Sequence, residues 1–195
     1  TFVDNTVREI GQTGILVRSG TTGTNLTSNL VDNAGTEDNS PGISDSGSNT
    51  EIVGNDISNG YGPGLSISDA STPPTVRDNT IEFNDGWAVT INKTPQLTVE
   101  GLILGLGSDP VTVSGKDFAV DDAVKPNQAL PTGKQDIGTY LTTDTNTGSI
   151  SEIRINYSDS DVSSLNESSL RLWYLDGSWT RVSGTNDVNS DDNVV

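Results

Sequence analysis

One pattern constrains this chain more than any other: an apolar residue, an Asn three positions later, and an aliphatic residue two beyond that. It occurs as Phe2-Asn5-Val7, Leu26-Asn29-Val31, Ile52-Asn55-Ile57 and Val76-Asn79-Ile81, with the Asn residues 24, 26 and 24 apart. A second landmark follows each Asn by ten residues, an aliphatic pair at alternate positions: Ile15 and Val17, Leu65 and Ile67, Val89 and Ile91. A small residue precedes each pair, Gly14, Gly64 or Ala88. In the second repeat the matching Gly42-Ile43 is displaced by four residues, which places an insertion within Asp32 to Pro41.

Alternation with a period of two marks strands with one face turned inward. A repeat of about two dozen residues with two or three short strands winds once around a solenoid, and its aliphatic side chains stack on those of the next winding. Asn5, Asn29, Asn55 and Asn79 recur at one turn position, where Asn tolerates a left-handed backbone and can hydrogen-bond to the Asn of the next coil. Their predicted role is a structural ladder. Leu97 to Leu104 is read as a fifth, terminal strand with Gly101 near the Asn position, and Val111 to Val113 as a further one.

Composition agrees with a narrow interior. Hydrophobic residues make up 31% of 195, and Gly, Asn, Asp, Ser and Thr are abundant. The net charge of −17, from 27 acidic and 10 basic residues, repels nucleic acid and anionic membrane. It fits a solvated, salt-adapted surface, because the carboxylates are scattered through every segment; a cation-binding surface is the competing reading. The chain has no Cys, His or Met, which excludes disulfides, Cys nucleophiles, Ser-His-Asp triads and His-ligated zinc or copper. No stretch reads as a signal peptide or a membrane span. The chain opens inside a repeat at Thr1, which predicts a processed or partial chain whose first coil is covered by further chain or by a partner.

The phrases Val76-Arg77-Asp78-Asn79-Thr80-Ile81 and Gly64-Leu65-Ser66-Ile67 resemble the parallel β-helix repeats of the pectate-lyase-like superfamily, in the NosD/CASH flavour found in many archaeal surface proteins. The resemblance covers about Thr1 to Leu106 and is specific for fold rather than function. Copper binding of the NosD type has no ligands here. After a connector at residues 116–138, the stretch from Tyr157-Ser158-Asp159 through Leu170-Arg171-Leu172-Trp173-Tyr174 to Asp176-Gly177-Ser178-Trp179 looks like the small C-terminal sandwich of cell-surface proteins from halophilic archaea. That resemblance implies export and surface display. The expected architecture is all-β: a short right-handed parallel β-helix over residues 1–115, a linker, and a small antiparallel Ig-like β-sandwich over residues 139–195 that is incomplete at Asn193-Val194-Val195.

Several groups could carry chemistry. The insertion holds Asp32, Glu37 and Asp38, whose oxygens could bind Ca²⁺ or simply solvate a loop. Asp159 and Asp161 form a second candidate of the same kind. Calcium is the one cofactor these residues suggest. Tyr61 and Trp87 fall near one corner of adjacent coils and could stack a sugar ring or cover a coil edge. Arg8, Arg18 and Arg77 are the coil cations, a lyase base being one reading and surface ion pairs the other. Asn-x-Ser/Thr sequons at Asn25, Asn92, Asn156 and Asn166 permit glycosylation. Two functions follow: a non-catalytic structural or interaction component of an archaeal cell surface or extracellular assembly, or a carbohydrate-binding or polysaccharide-cleaving module. The expected partners are neighbouring protein chains, in a homo-oligomer or larger assembly, or surface polysaccharide.

Overall fold

The computed structural model describes residues 1–82, 84–105, 109–145, 148–183, 188–189 and 193–195. Three short strands make each coil. The first coil holds β1 (Phe2–Val3), β2 (Thr6–Ile10) and β3 (Ile15–Val17). The second holds β4 (Asn25–Thr27), β5 (Leu30–Ala34) and β6 (Ile43–Asp45). The third holds β7 (Glu51–Val53), β8 (Asp56–Ser58) and β9 (Leu65–Ser68), and the fourth β10 (Thr75–Arg77), β11 (Thr80–Glu82) and β12 (Val89–Asn92). Each strand pairs in parallel with its equivalent one coil on, giving a parallel β-solenoid of about four turns. At the usual inter-strand spacing the stack rises about 20 Å.

The register places both sequence landmarks in single file. Phe2 lies opposite Leu26, Leu26 opposite Ile52, and Ile52 opposite Val76. Val7, Val31, Ile57 and Ile81 form a second inward row, and Ile15, Ile43, Leu65 and Val89 a third. The small residue before the third row has a steric cause. A Cβ on Gly14 would stand 2.6 Å from Val31, one on Gly42 2.5 Å from Ile57, and one on Gly64 2.3 Å from Ile81. The extra residues of the second coil form a turn between Ala34 and Ile43, closed by Asn39 N–H donating to the Gly35 carbonyl, 2.9 Å. Ile43 therefore stays level with Ile15 despite the insertion.

The fifth row is β13 (Leu97–Leu104), which bridges two faces of the solenoid. Its first half pairs with β10 and its second with β11. It bends at Gly101, φ +60°, which occupies the corner position of Asp4, Ser28, Gly54 and Asp78, all at positive φ. Gly101 thus sits one residue before the Asn position, and Leu102 takes the place of the Asn.

Further strands follow the coils. Strand β14 (Val111–Lys116) runs antiparallel to β13, and β15 (Ala119–Asp122), inside the expected connector, runs antiparallel to β12. They close the end of the stack, with Val111, Val113, Phe118 and Val120 buried. Strand β16 (Leu141–Asp144) then pairs with β15, and β17 (Ser149–Ile155) with β14. Both therefore extend the solenoid's own sheets. A four-residue helix, α1 (Asp159–Val162), and a 3-10 turn at Glu167–Ser169 follow. The separate C-terminal sheet is a two-stranded hairpin, β18 (Trp173–Asp176) and β19 (Ser178–Arg181), turning at Gly177. Leu170 and Leu172 precede it. At the chain end Val194 bridges to Asn156 and Asn189. The outer bound of the first resemblance, Leu106, lies outside the described residues. No helix among the described residues is long and apolar enough to cross a membrane.

The coil rows bear the stability. Truncating Ile52, fully buried in mid-stack, to Ala is expected to cost about 2–5 kcal/mol. Phe2→Ala on the half-exposed first coil should cost under about 1 kcal/mol. Urea unfolding monitored by circular dichroism separates the two.

Candidate functional site

The asparagine corner is the most organised polar feature of the molecule. Asn5 Nδ2 donates to Asn29 Oδ1 at 3.0 Å, Asn29 Nδ2 to Asn55 Oδ1 at 2.9 Å, and Asn55 Nδ2 to Asn79 Oδ1 at 3.0 Å. The backbone N–H of each of the first three donates to the same oxygen, at 3.0–3.1 Å. The amides of Asn29, Asn55 and Asn79 also reach back to the Phe2, Leu26 and Ile52 carbonyls of the coil before. Asn29, Asn55 and Asn79 are 1% exposed, so every polar atom there needs a partner, and the ladder supplies it. Leu102 offers no acceptor and ends the file. These four residues hold the corner shut rather than face a ligand.

One inward position departs from the aliphatic rule. Asp45 stands in register between Val17 and Ile67 and is fully buried. Its Oδ1 accepts from Gly47 N–H at 2.9 Å and Thr50 Oγ1 at 3.2 Å, while Oδ2 has no partner. Burial pushes this carboxyl above the usual range, and the two hydrogen bonds offset that only in part. No sequence signal distinguished Asp45 from the many surface aspartates except its place two residues after Ile43.

The calcium candidates are engaged locally. Asp32 accepts from Asn59 Nδ2 at 2.9 Å and lies 3.8 Å from Arg8. Asp38 caps Ser40 N–H within its own turn, and Glu37 lies against Gly11 of the first coil. Asp161 accepts from Ser158 N–H and Oγ, which lowers its carboxyl, and Asp159 accepts from Asn193 Nδ2. Among the described residues no group of three or more acids converges on a point that could hold a metal ion. Arg77 pairs with its neighbour Asp78 at 3.4 Å, a surface contact worth little.

Tyr61 precedes Gly62 and Trp87 follows Gly86, in successive coils. The stacked Gly62 and Gly86 bring the two turns so close that a Cβ on Gly86 would stand 2.6 Å from Pro63 N. Tyr61 is 47% exposed and Trp87 half-buried. Among the sequons, Asn92, Asn156 and Asn166 are exposed, while Asn25 is tied to Glu51 and Thr27. Thr94, the hydroxyl residue of the Asn92 sequon, is buried.

Two concave features are visible only in three dimensions. A groove of about 1420 Å³ runs beside β13 and β17 under the hairpin, lined by Glu100, Thr112, Glu152, Arg154 and the exposed Tyr174. A smaller cleft of about 490 Å³ is lined by Asp109, Asp122, Thr139, Tyr140 and Asp161. Asp109 is raised by burial despite the Thr139 hydroxyl bond at 3.1 Å. Beside this cleft, Asp121 is pushed up to about 6, first by burial and then by the Asp122 carboxyl.

A family model described as the right-handed β-helix region matches residues 1–104. The chain belongs to the right-handed β-helix family. The match stops at the last residue of β13, so the family accounts for the coils and leaves the closing strands and hairpin outside it. No curated protein and no solved structure matches. The family assignment is one of architecture, and function must come from the surfaces described above.

The raised carboxyls give a signed pH effect. The folded chain retains a proton on Asp45 that the unfolded chain releases, so stability falls as pH rises from the ordinary value of 3.8 through the raised one. Asp45→Asn should therefore stabilise the chain relative to wild type increasingly as pH rises across that range, with no further gain above it, in thermal melts. Likewise, Asp122→Asn should bring the Asp121 titration down from about 6 towards the usual carboxylate range, read by carbonyl-carbon NMR.

Proposed function

We propose that this right-handed β-helix chain is a non-catalytic structural or interaction component of a cell surface or extracellular assembly, of the salt-adapted archaeal kind that its sequence resembles. The observation that carries this reading is the stack itself, whose three aliphatic rows and buried Asn ladder make a stiff rod with an acidic outside. The net charge of −17 keeps the sides of the rod soluble, and salt screens the repulsion that would oppose side-by-side packing. The coil interior is given over to packing and to the ladder.

A second reading is supported by the groove beside Tyr174. An exposed aromatic ring flanked by Glu100 and the Glu152–Arg154 pair suits a sugar polymer. In this reading the chain is a carbohydrate-binding module.

Size fractionation and cross-linking of envelope and medium fractions from the source cells, at molar salt, test the first reading. The chain should run in a complex with other polypeptides. A free monomer in both fractions would overturn it. Saturable binding of an acidic polysaccharide, lost in Tyr174→Ala, would favour the second.

A further inference from the structure

One corner of the solenoid is fastened by a carboxyl group. At one register position Val17, Ile67 and Ile91 point inward in the first, third and fourth coils, and Asp45 takes their place in the second. Its Oδ1 collects both donors that tie the following turn inward, Gly47 N–H and Thr50 Oγ1, while Oδ2 has no partner among the described residues. Gly47 and Thr50 are themselves buried. A Cβ on Gly47 would stand 2.9 Å from both Val17 Cγ1 and Thr21 Oγ1, so the closed turn is packed hard against the first coil. No cation balances the group. Strands β3 and β9 present Val17 and Ile67 to it, and the charged residues next along the packed segments, Arg18, Glu51 and Asp69, are exposed. Asp69 lies 3.9 Å from Lys93 on the outside of the stack. Burial raises the Asp45 carboxyl, Gly47 and Thr50 offset this in part, and no charged neighbour contributes.

The turn itself is held to its neighbours by few bonds. Ser46 N–H donates to the Val17 carbonyl at 2.9 Å, Ser48 N–H to the Thr21 carbonyl at 3.0 Å, and Gly23 N–H to the Ser48 carbonyl at 3.0 Å. The Ser46 and Ser48 hydroxyls pair with those of Ser68 and Ser71. Ile43, two residues before Asp45, belongs instead to a buried aliphatic row that runs through all four coils. Water can therefore reach Asp45 by the lifting of the end of β6 and the turn after it, without parting that row. Local openings of this size cost less than global unfolding. We propose that the turn at residues 46–50 is a pH-operated latch, closed over a neutral Asp45 and released to hydrate the carboxylate while the aliphatic rows and the asparagine ladder stay intact. In the open turn Asp45 returns to its ordinary value of 3.8, so the closed turn holds the proton more tightly than the open one. Opening therefore grows about tenfold per pH unit from 3.8 up to the closed-state value and is constant above it. The other three coils, with aliphatic residues at this position, do not respond. The latch is a property of the rod and stands whichever surface function the rod serves.

Residue-resolved amide exchange of the full chain, corrected for the intrinsic pH dependence of exchange, tests the latch. Protection of Gly47 and Ser48 should fall about tenfold per pH unit across that window, while protection of Asn29, Ile57 and Ile67 stays constant. In Asp45→Asn the protection of the turn should no longer depend on pH. Thr50→Val removes one of the two donors to Oδ1 and should carry the fall on to higher pH, with circular dichroism showing that the stack remains folded. Arg18→Gln and Glu51→Gln should leave the profile unchanged. An equal fall at every amide would mean that the charge unfolds the whole stack, and would overturn the proposal. So would a turn whose protection ignores pH, a pH dependence that survives Asp45→Asn, or one that disappears with Arg18 or Glu51 instead.

Discussion

Everything in this molecule depends on how its corners keep buried backbone polar groups satisfied. A coil that turns every three to eight residues must bend sharply beside an apolar interior, and bends strand N–H and C=O groups away from the ladders that would satisfy them. The Asn file solves this at one corner. One oxygen receives two donors from the coil before, and one amide returns to a carbonyl of that coil. The residue just before each Asn, at positive φ, makes the bend. Because each Asn completes the previous one, the arrangement is cooperative along the stack and must begin and end somewhere. Leu102 ends it in an apolar layer sealed by antiparallel strands.

Closure at that end reuses the same interior. Val111, Val113 and Val120 continue the inward packing while their strands reverse direction, and β17 and β16 take their outer edges. Beyond them β16 and β17 add a further rung to each of these sheets, while β18 and β19 form a separate two-stranded sheet. The groove beneath that hairpin follows directly from this layout, since the exposed side of β13 forms one wall and Leu172, Tyr174 and Val182 contribute to the other.

Charge is distributed with equal economy. Many carboxylates face solvent, and some meet a nearby amide, hydroxyl or cation, as Asp32 meets Asn59 and Arg8. Asp45 is different. It replaces an aliphatic residue in the third row and is tolerated because Gly47 and Thr50 hold one of its oxygens. It makes the second coil, already distinguished by its longer turn, the one whose packing responds to pH.

The sequence by itself determined the coils. Period-two alternation and the Asn spacing fix which side chains face inward, and the register of Phe2 with Leu26 or Ile15 with Ile43 follows from local pattern alone, even across the insertion. It also located the Asn corner, because a left-handed turn that must hydrogen-bond along the stack accepts few residue types. Tertiary structure alone decided where Leu141–Asp144 and Ser149–Ile155 pair, since a strand's own sequence specifies its inward face but not which edge it joins. For the same reason those segments read as strands without revealing that β15 and β14 are their neighbours. The buried state of Asp45 was likewise invisible, because an aspartate reads as solvated until its neighbours on the coils above and below are known. The switch from parallel coils to antiparallel β14 and β15 was decided by tertiary structure too, because local pattern does not specify the direction in which a strand meets its neighbour.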